Sequence, residues 1–202
     1  ATFVYGADLD SDGDMDLISA CYSDDKIVWF QNNVDVNGDG SGSFTPYDIT
    51  TDCDGAMSVY AADLDGDGDN DVLSACVSDD KFVWYKNDGN GNFTSFTIST
   101  SVDGAHSVYA EDMDGDVDMD IVVGFTNPNS SIVWYQNDGI GNFTPFTITT
   151  DCDEPSSLYV ADLDGDSDQD VVSACQNDDT IAWYKNDGSG NFTPFTITTD
   201  CA

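Results

Sequence analysis

The stretch SVYAADLDGDGDNDVLSACVSDDKFVWYKNDGNGNFTSFTIST, residues 58–100, reads as four strands in series. Ser58 to Asp65 carries small and aromatic apolar residues into an acidic loop. Asp71 to Val77 is a nearly continuous apolar run of strand length. After the turn at Ser78-Asp79-Asp80, Lys81 to Asn87 is rich in β-branched and aromatic residues, which suit a pleated strand. Asp88-Gly89-Asn90-Gly91-Asn92 is a hairpin signal, and Phe93 to Thr100 alternates as a strand does. No segment sustains a 3.6-residue apolar period, so little helix is expected.

This unit occurs four times. The Trp residues fall at Trp29, Trp84, Trp134 and Trp183, and the acidic motif starts at Asp8, Asp63, Asp112 and Asp162. An insertion, Val34 to Gly40, lengthens the first copy. Four strands per repeat of about 50 residues is the pattern of a β-propeller blade. The expected fold is all-β: four four-stranded antiparallel repeats, blade 1 at 1–51, blade 2 at 52–100, blade 3 at 101–150 and blade 4 at 151–202. No linker or composition shift divides them, so residues 1–202 read as a single repeat domain. The blades are whole and in phase, and they form either a closed ring or an open head-to-tail array.

Composition narrows the function. The 202 residues include 40 acidic side chains, 4 Lys, no Arg and one His, for a formal net charge of −36. So little basic surface excludes nucleic-acid binding through phosphate contacts and argues against docking on an anionic membrane. No apolar run approaches the ~20 residues of a spanning helix. Disorder is the usual correlate of such charge, but 40% hydrophobic and 12% aromatic residues oppose it. With no initiator Met, signal peptide or lipidation motif in the sequence, the chain is expected to be a processed product or a segment of something longer. Six Cys in this context point to an oxidising, extracellular or cell-surface setting.

The acid is concentrated. Each copy places Asp at positions 1, 3, 5, 7 and 9 of a nine-residue loop. These are Asp8, Asp10, Asp12, Asp14 and Asp16, then Asp63, Asp65, Asp67, Asp69 and Asp71. The third loop has Asp112, Asp114, Asp116, Asp118 and Asp120, and the fourth Asp162, Asp164, Asp166, Asp168 and Asp170. Hard cations such as Ca²⁺ take six to eight oxygens, and five carboxylates in nine residues repel without one. Positions 1, 3 and 5 are expected to give carboxylate oxygens, position 7 a main-chain carbonyl, and position 9 a closing carboxylate. Gly at position 6 permits the sharp turn, and Gly13 and Gly68 supply it. Val117 and Ser167 do not, so the third and fourth loops are expected to be strained or weaker binders. The twelfth-position Glu and flanking helices of an EF-hand are missing. Asp35, Asn37, Asp39 and Ser41 in the insertion form a weaker fifth candidate, for which a metal-free hairpin is the competing reading. About four Ca²⁺ are expected, five with the insertion.

The string DLDGDGDNDVLSAC…WYKNDGNGNFT resembles the FG-GAP/VCBS class of calcium-loop propeller repeats, which includes the integrin α-subunit head, across essentially the whole chain. The likeness is nearer the VCBS type, because the eponymous Phe-Gly and Gly-Ala-Pro steps are absent. The resemblance implies Ca²⁺ between the first two strands of each blade. It also implies a role in extracellular adhesion, surface or carbohydrate-associated proteins.

Aligning the copies gives two Cys slots. One holds Cys53, Cys152 and Cys201, with Val102 in the remaining copy; the other holds Cys21, Cys76 and Cys175, with Phe125. The third blade lacks both together, which makes the slots partners. Cys53–Cys76 and Cys152–Cys175 are then each 23 apart, and closing such a loop contributes roughly 3 kcal/mol. Cys21 and Cys201 are left over, and Cys201 is expected to bridge Cys21 of a following copy, or of the same chain if four blades close. Two unpaired thiols are the competing reading.

Sequons occur at Asn92, Asn142 and Asn191 in one recurring turn, and at Asn129. Either these carry glycans, or Asn suits the turn and Thr the strand. His106 reads as an ordinary loop residue, and no nucleophile–base pair is visible, so an enzyme is not expected. Three functions remain. The first is an extracellular calcium-stabilised structural or adhesive module that assembles with copies of itself, head to tail, into a filament or tandem array. The second is a carbohydrate-binding propeller, and the third an accessory propeller of a larger secreted enzyme. Neither nucleic acid nor membrane insertion enters any of them.

Overall fold

The computed structural model describes residues 1–33, 42–100, 103–126 and 130–201. It consists of four four-stranded antiparallel sheets, each a β-meander whose order in space is its order in sequence. Blade 1 is β1 (Phe3–Ala7), β2 (Asp16–Cys21), β3 (Lys26–Asn32) and β4 (Phe44–Thr50). Blade 2 is β5 (Ala56–Ala62), β6 (Asp71–Cys76), β7 (Lys81–Asn87) and β8 (Phe93–Ser99). Blade 3 is β9 (Ala105–Glu111), β10 (Asp120–Phe125), β11 (Ser131–Asn137) and β12 (Phe143–Thr149). Blade 4 is β13 (Pro155–Ala161), β14 (Asp170–Cys175), β15 (Thr180–Asn186) and β16 (Phe192–Thr198). Helix among the described residues is confined to two 3₁₀ turns, Tyr22–Asp24 and Gln176–Asp178.

The second strands explain themselves. β6 and β10 are buried at every residue, because a neighbouring sheet covers each face. That is why their sequences are apolar without alternation. The fourth strands are sheet edges, and Pro46, Pro145 and Pro194 are tolerated there because an edge needs no ladder N–H on its outer side. All four third-to-fourth strand pairings carry a register shift at one equivalent position, from Ile27/Val28 to Ile181/Ala182.

Blades pack face to face through three apolar clusters. One joins blade 1 to blade 2 around Leu9, Ile18, Val59 and Val72. The next joins blades 2 and 3 around Leu64, Leu73, Val108 and Ile121. The third joins blades 3 and 4 around Met113, Val122, Leu158 and Val171. Among the described residues no such cluster joins blade 4 to blade 1. The first strands line the inner side of the arc. There Tyr5, Tyr60, Tyr109 and Tyr159 form a continuous row with ring centroids 4.5, 4.6 and 5.9 Å apart. His106 lies in β9 at this inner side and not in a loop, because the strand begins at Ala105, ahead of the apolar run that marks it in sequence.

Two disulfides are present, Cys53–Cys76 and Cys152–Cys175, each with Cα atoms 5.1 Å apart. Each ties the link that follows one blade to the second strand of the next. Cys21 and Cys201 are free thiols. No helix among the described residues is long and apolar enough to cross a membrane.

Candidate metal centre

Each acidic loop joins the first and second strands of its blade. The turn is made by two left-handed residues, at positions 4 and 6: Ser11 and Gly13, Gly66 and Gly68, Gly115 and Val117, Gly165 and Ser167. Position 6 was legible in the sequence, whereas the requirement at position 4 was not. Val117 and Ser167 adopt φ of 81° and 78° at the place where Gly13 and Gly68 adopt 92° and 94°. For Val117 this is a genuine outlier that stores strain.

The position-9 carboxylate is the anchor. Asp16, Asp71, Asp120 and Asp170 are fully buried, at 0% exposure. One oxygen accepts the backbone N–H of position 2 (Leu9, Leu64, Met113, Leu163) at 3.1–3.3 Å. The other accepts the N–H of Asn32, Asn87, Asn137 or Asn186 at the end of the third strand, at 2.7–2.8 Å. At three of them burial outweighs these bonds: it raises the pKa of Asp16 and pushes Asp71 up to about 6 and Asp120 up to about 7. The position-1 carboxylate folds the loop around itself. Asp63, for example, accepts the N–H groups of Gly66 at 2.8 Å and Gly68 at 2.9 Å.

These anchors bring positions 1, 3 and 9 together. In each blade one oxygen from each residue lies within 4.8 Å of the others: Asp8, Asp10 and Asp16; Asp63, Asp65 and Asp71; Asp112, Asp114 and Asp120; Asp162, Asp164 and Asp170. A cation fits this arrangement. Oδ1 of Asp8, Asp10, Asp65 and Asp114 is buried with no hydrogen-bond partner, and a buried, unpaired carboxylate oxygen is costly unless something positive meets it. The donors are all hard oxygens, which suit Ca²⁺ and its class rather than soft-ligand metals.

The carboxylates at positions 5 and 7 are not in these clusters. Asp12, Asp67, Asp116 and Asp166 each accept the N–H of position 7, closing a local turn at 2.9–3.1 Å. Asp67 is held below the usual carboxylate range by its bond from the Asp69 N–H, with Lys86 adding to it. Among the position-7 residues Asp14, Asp69, Asp118 and Asp168, Asp69 turns to the neighbouring blade and accepts the Ser11 hydroxyl at 3.2 Å. The fifth candidate (Asp35, Asn37, Asp39 and Ser41) and the sequon at Asn129 lie outside the described residues.

A further ligand-side group went unread in the sequence. The third strand sends one side chain to position 3: Gln31 to Asp10, Lys86 to Asp65, Gln136 to Asp114 and Lys185 to Asp164. Lys86 also reaches Asp67 at 3.2 Å, and Lys185 reaches Asp166 at 2.9 Å. The signal was the slot two residues after each Trp, which alternates Gln, Lys, Gln, Lys. At the sequons, the side-chain amide of Asn92, Asn142 and Asn191 donates to Asp88, Asp138 and Asp187 at 2.8–2.9 Å, so turn geometry by itself accounts for Asn there.

A family profile described as FG-GAP-like repeat matches residues 8–74, 63–123, 112–173 and 162–201. No curated protein sequence matches the chain. Among solved structures, the chain is similar to an Agrocybe aegerita lectin described by its specific recognition of non-reducing terminal N-acetylglucosamine. That match has 20% identity and a TM-score of 0.64, covering 98% of this chain and 52% of that one. It is also similar to a Bacteroides fragilis protein provisionally named a 6-phosphogluconolactonase (15%, TM-score 0.68, 98% and 55%). A third is the Vibrio cholerae biofilm matrix protein Bap1 (19%, TM-score 0.50, 94% and 29%). At these identities the likeness is one of fold. The chain spans about half the length of the first two structures.

Proposed function

Because the chain belongs to the FG-GAP-like repeat family, we propose that it is an extracellular structural or adhesive module whose blades are fixed by Ca²⁺ and joined head to tail to blades of their own kind. The observation that carries this reading is the set of four three-carboxylate clusters, three of them with buried, partnerless oxygens, in a chain of formal charge −36. Four divalent cations at these sites lower the formal charge to −28 and, in the first three, supply the missing partners. The two disulfides support an oxidising setting. Native mass spectrometry with calcium tests the reading: about four bound Ca²⁺ per chain are expected, and a chain that binds none rejects it.

A carbohydrate-binding role is the second reading. Tyr47, Phe96, Phe146 and Phe195 recur on the outer strands, each 42–46% exposed. Each pairs with its blade's Trp at 4.9–5.1 Å, and Phe96 and Phe146 line notches between blades. Exposed aromatic faces of this kind stack on sugar rings, and the lectin fold-neighbour adds weight. A glycan array probed in calcium decides it, and an array without hits removes this reading.

A further inference from the structure

We infer that Asn87, Asn137 and Asn186 are positioning residues that couple each metal site to its neighbour, so that a cation held in one blade raises the affinity of the adjoining blade's site. This rests on the calcium reading proposed above and goes beyond it, because it makes the loops a connected series rather than independent cages.

The connection is built the same way at three joints. Asn87, Asn137 and Asn186 end the third strands of blades 2, 3 and 4 and are at most 1% exposed. The backbone N–H of each donates to the buried position-9 carboxylate of its own loop, at 2.7–2.8 Å. Its side-chain amide donates across the joint to the carbonyl of Leu9, Leu64 or Met113 in the preceding blade, at 2.6–2.8 Å. Those three residues hold position 2, between the carboxylates of positions 1 and 3. Their own N–H donates to the position-9 carboxylate of that preceding loop at 3.1–3.3 Å. An unbroken hydrogen-bonded path therefore runs from Asp170 in blade 4 to Asp16 in blade 1.

The amides are locked. Each also donates to the carbonyl of Asn70, Met119 or Gln169 in its own blade at 3.0–3.1 Å. Each accepts the N–H of Gly89, Gly139 or Gly188 at 3.2 Å. Both N–H groups and the oxygen of a buried amide are thus engaged, and turning it would leave buried polar groups unpaired.

Order passes along such a path. A cation that fixes Asp71 fixes the main chain of Asn87 and, through the amide, Leu9 between Asp8 and Asp10. The neighbouring loop then loses less freedom when it binds, which is positive coupling without a change of shape. It acts equally in both directions. Repulsion between two divalent cations has the opposite sign, so the two effects are separable. The first joint carries two more bonds: Asn70 donates to the Asp8 carbonyl at 2.9 Å, and the Ser11 hydroxyl to Asp69 at 3.2 Å. Met119 and Gly66 stand in the slots of Asn70 and Ser11 at the next joint. Sites 1 and 2, numbered by blade, are therefore expected to be coupled more strongly than sites 2 and 3.

Calorimetric calcium titration of the 202-residue chain tests this, with unwanted sites silenced at position 3. Asp10→Asn/Asp164→Asn leaves sites 2 and 3, and adding Asp65→Asn or Asp114→Asn leaves one of them. The two-site affinity product is expected to exceed the product of the single-site affinities about fivefold or more. Asp65→Asn/Asp164→Asn leaves sites 1 and 3, which share no joint, and there the factor is expected to be about one. Asn137→Ala in the chain with sites 2 and 3 is expected to bring its factor down to about one. A factor near one for sites 2 and 3, an equal factor for sites 1 and 3, or a factor that survives Asn137→Ala each overturns the coupling and leaves the calcium reading standing. A chain that binds no calcium overturns both. If Asn137→Ala does not fold, hydrogen exchange decides. In the chain that keeps only site 3, calcium is expected to slow exchange of the Leu64 amide in the silenced loop of blade 2, and unchanged exchange overturns the coupling.

Discussion

Gly91 sits on the indole of Trp29: a Cβ at Gly91 would come within 2.6 Å of the ring. Gly141 on Trp84 and Gly190 on Trp134 repeat the contact at 2.8 and 2.9 Å. The hairpin of one blade thus seats on the Trp of the blade before it. Gly141→Ala is expected to cost about 2–4 kcal/mol, combining a left-handed backbone with overpacking. Gly66→Ala shares the positive φ but meets nothing within 4 Å, and is expected to cost only about 1–2 kcal/mol. Denaturant melts in chelator compare the two, and equal losses would deny the Trp seat any role.

Asp114 tests the metal site by a change of sign. Its Oδ1 is buried without a partner, and burial raises its pKa, which disfavours the charged form. In chelator, Asp114→Asn is expected to leave the melting temperature unchanged or raised, because an uncompensated charge is removed. In calcium the same change is expected to lower it and to remove one bound ion, through the linkage between binding and stability. Loss of stability in both buffers would make Asp114 an ordinary structural residue.

The Gln–Lys alternation predicts unequal sites. Lys86 and Lys185 place an ammonium beside position 3, where Gln31 and Gln136 place a neutral amide. Lys86→Gln is expected to tighten the second site about tenfold, roughly 1.4 kcal/mol. Calorimetric titration reads this directly, and an unchanged affinity rejects it. With Ser167 in its loop and Lys185 beside it on the third strand, the fourth site is expected to be the weakest, and the first, with Gly13 and Gln31, the tightest.

Acidity should act oppositely with and without metal. Asp71 and Asp120 have folded values raised to about 6 and about 7 from 3.8. Between 3.8 and those values the native state holds more protons than the unfolded state, so these groups make stability fall as pH rises through that window. In chelator the protein is expected to melt higher at pH 5 than at pH 7.5. In calcium the order should reverse, because the ligands must be deprotonated to bind. The same order in both buffers would show that these carboxylates do not hold the ion.

Much of this was legible in residues 58–100. Hairpin and loop signals bound each strand, and repetition made a weak pattern strong. The five-Asp spacing located the loops but not their division of labour. Alternation along a loop does not say which carboxylate faces the cation, because Asp67 is captured by a neighbouring backbone N–H and Asp71 by two. The Gln31/Lys86 slot escaped because its partner lies 21 residues away in sequence and meets it only across the sheet.

The bridges also set where the molecule would give way under tension. Each cystine pins the residues that lead into a blade, Cys53 for blade 2 and Cys152 for blade 4, to that blade's own second strand. The boundary between blades 2 and 3 has Phe125 in the second-strand slot and rests on packing and hydrogen bonds. A pulled chain is expected to lose the lead-in to blade 3 first, because Phe125 offers it no cystine, whereas the lead-ins to blades 2 and 4 stay pinned to their own second strands at Cys76 and Cys175.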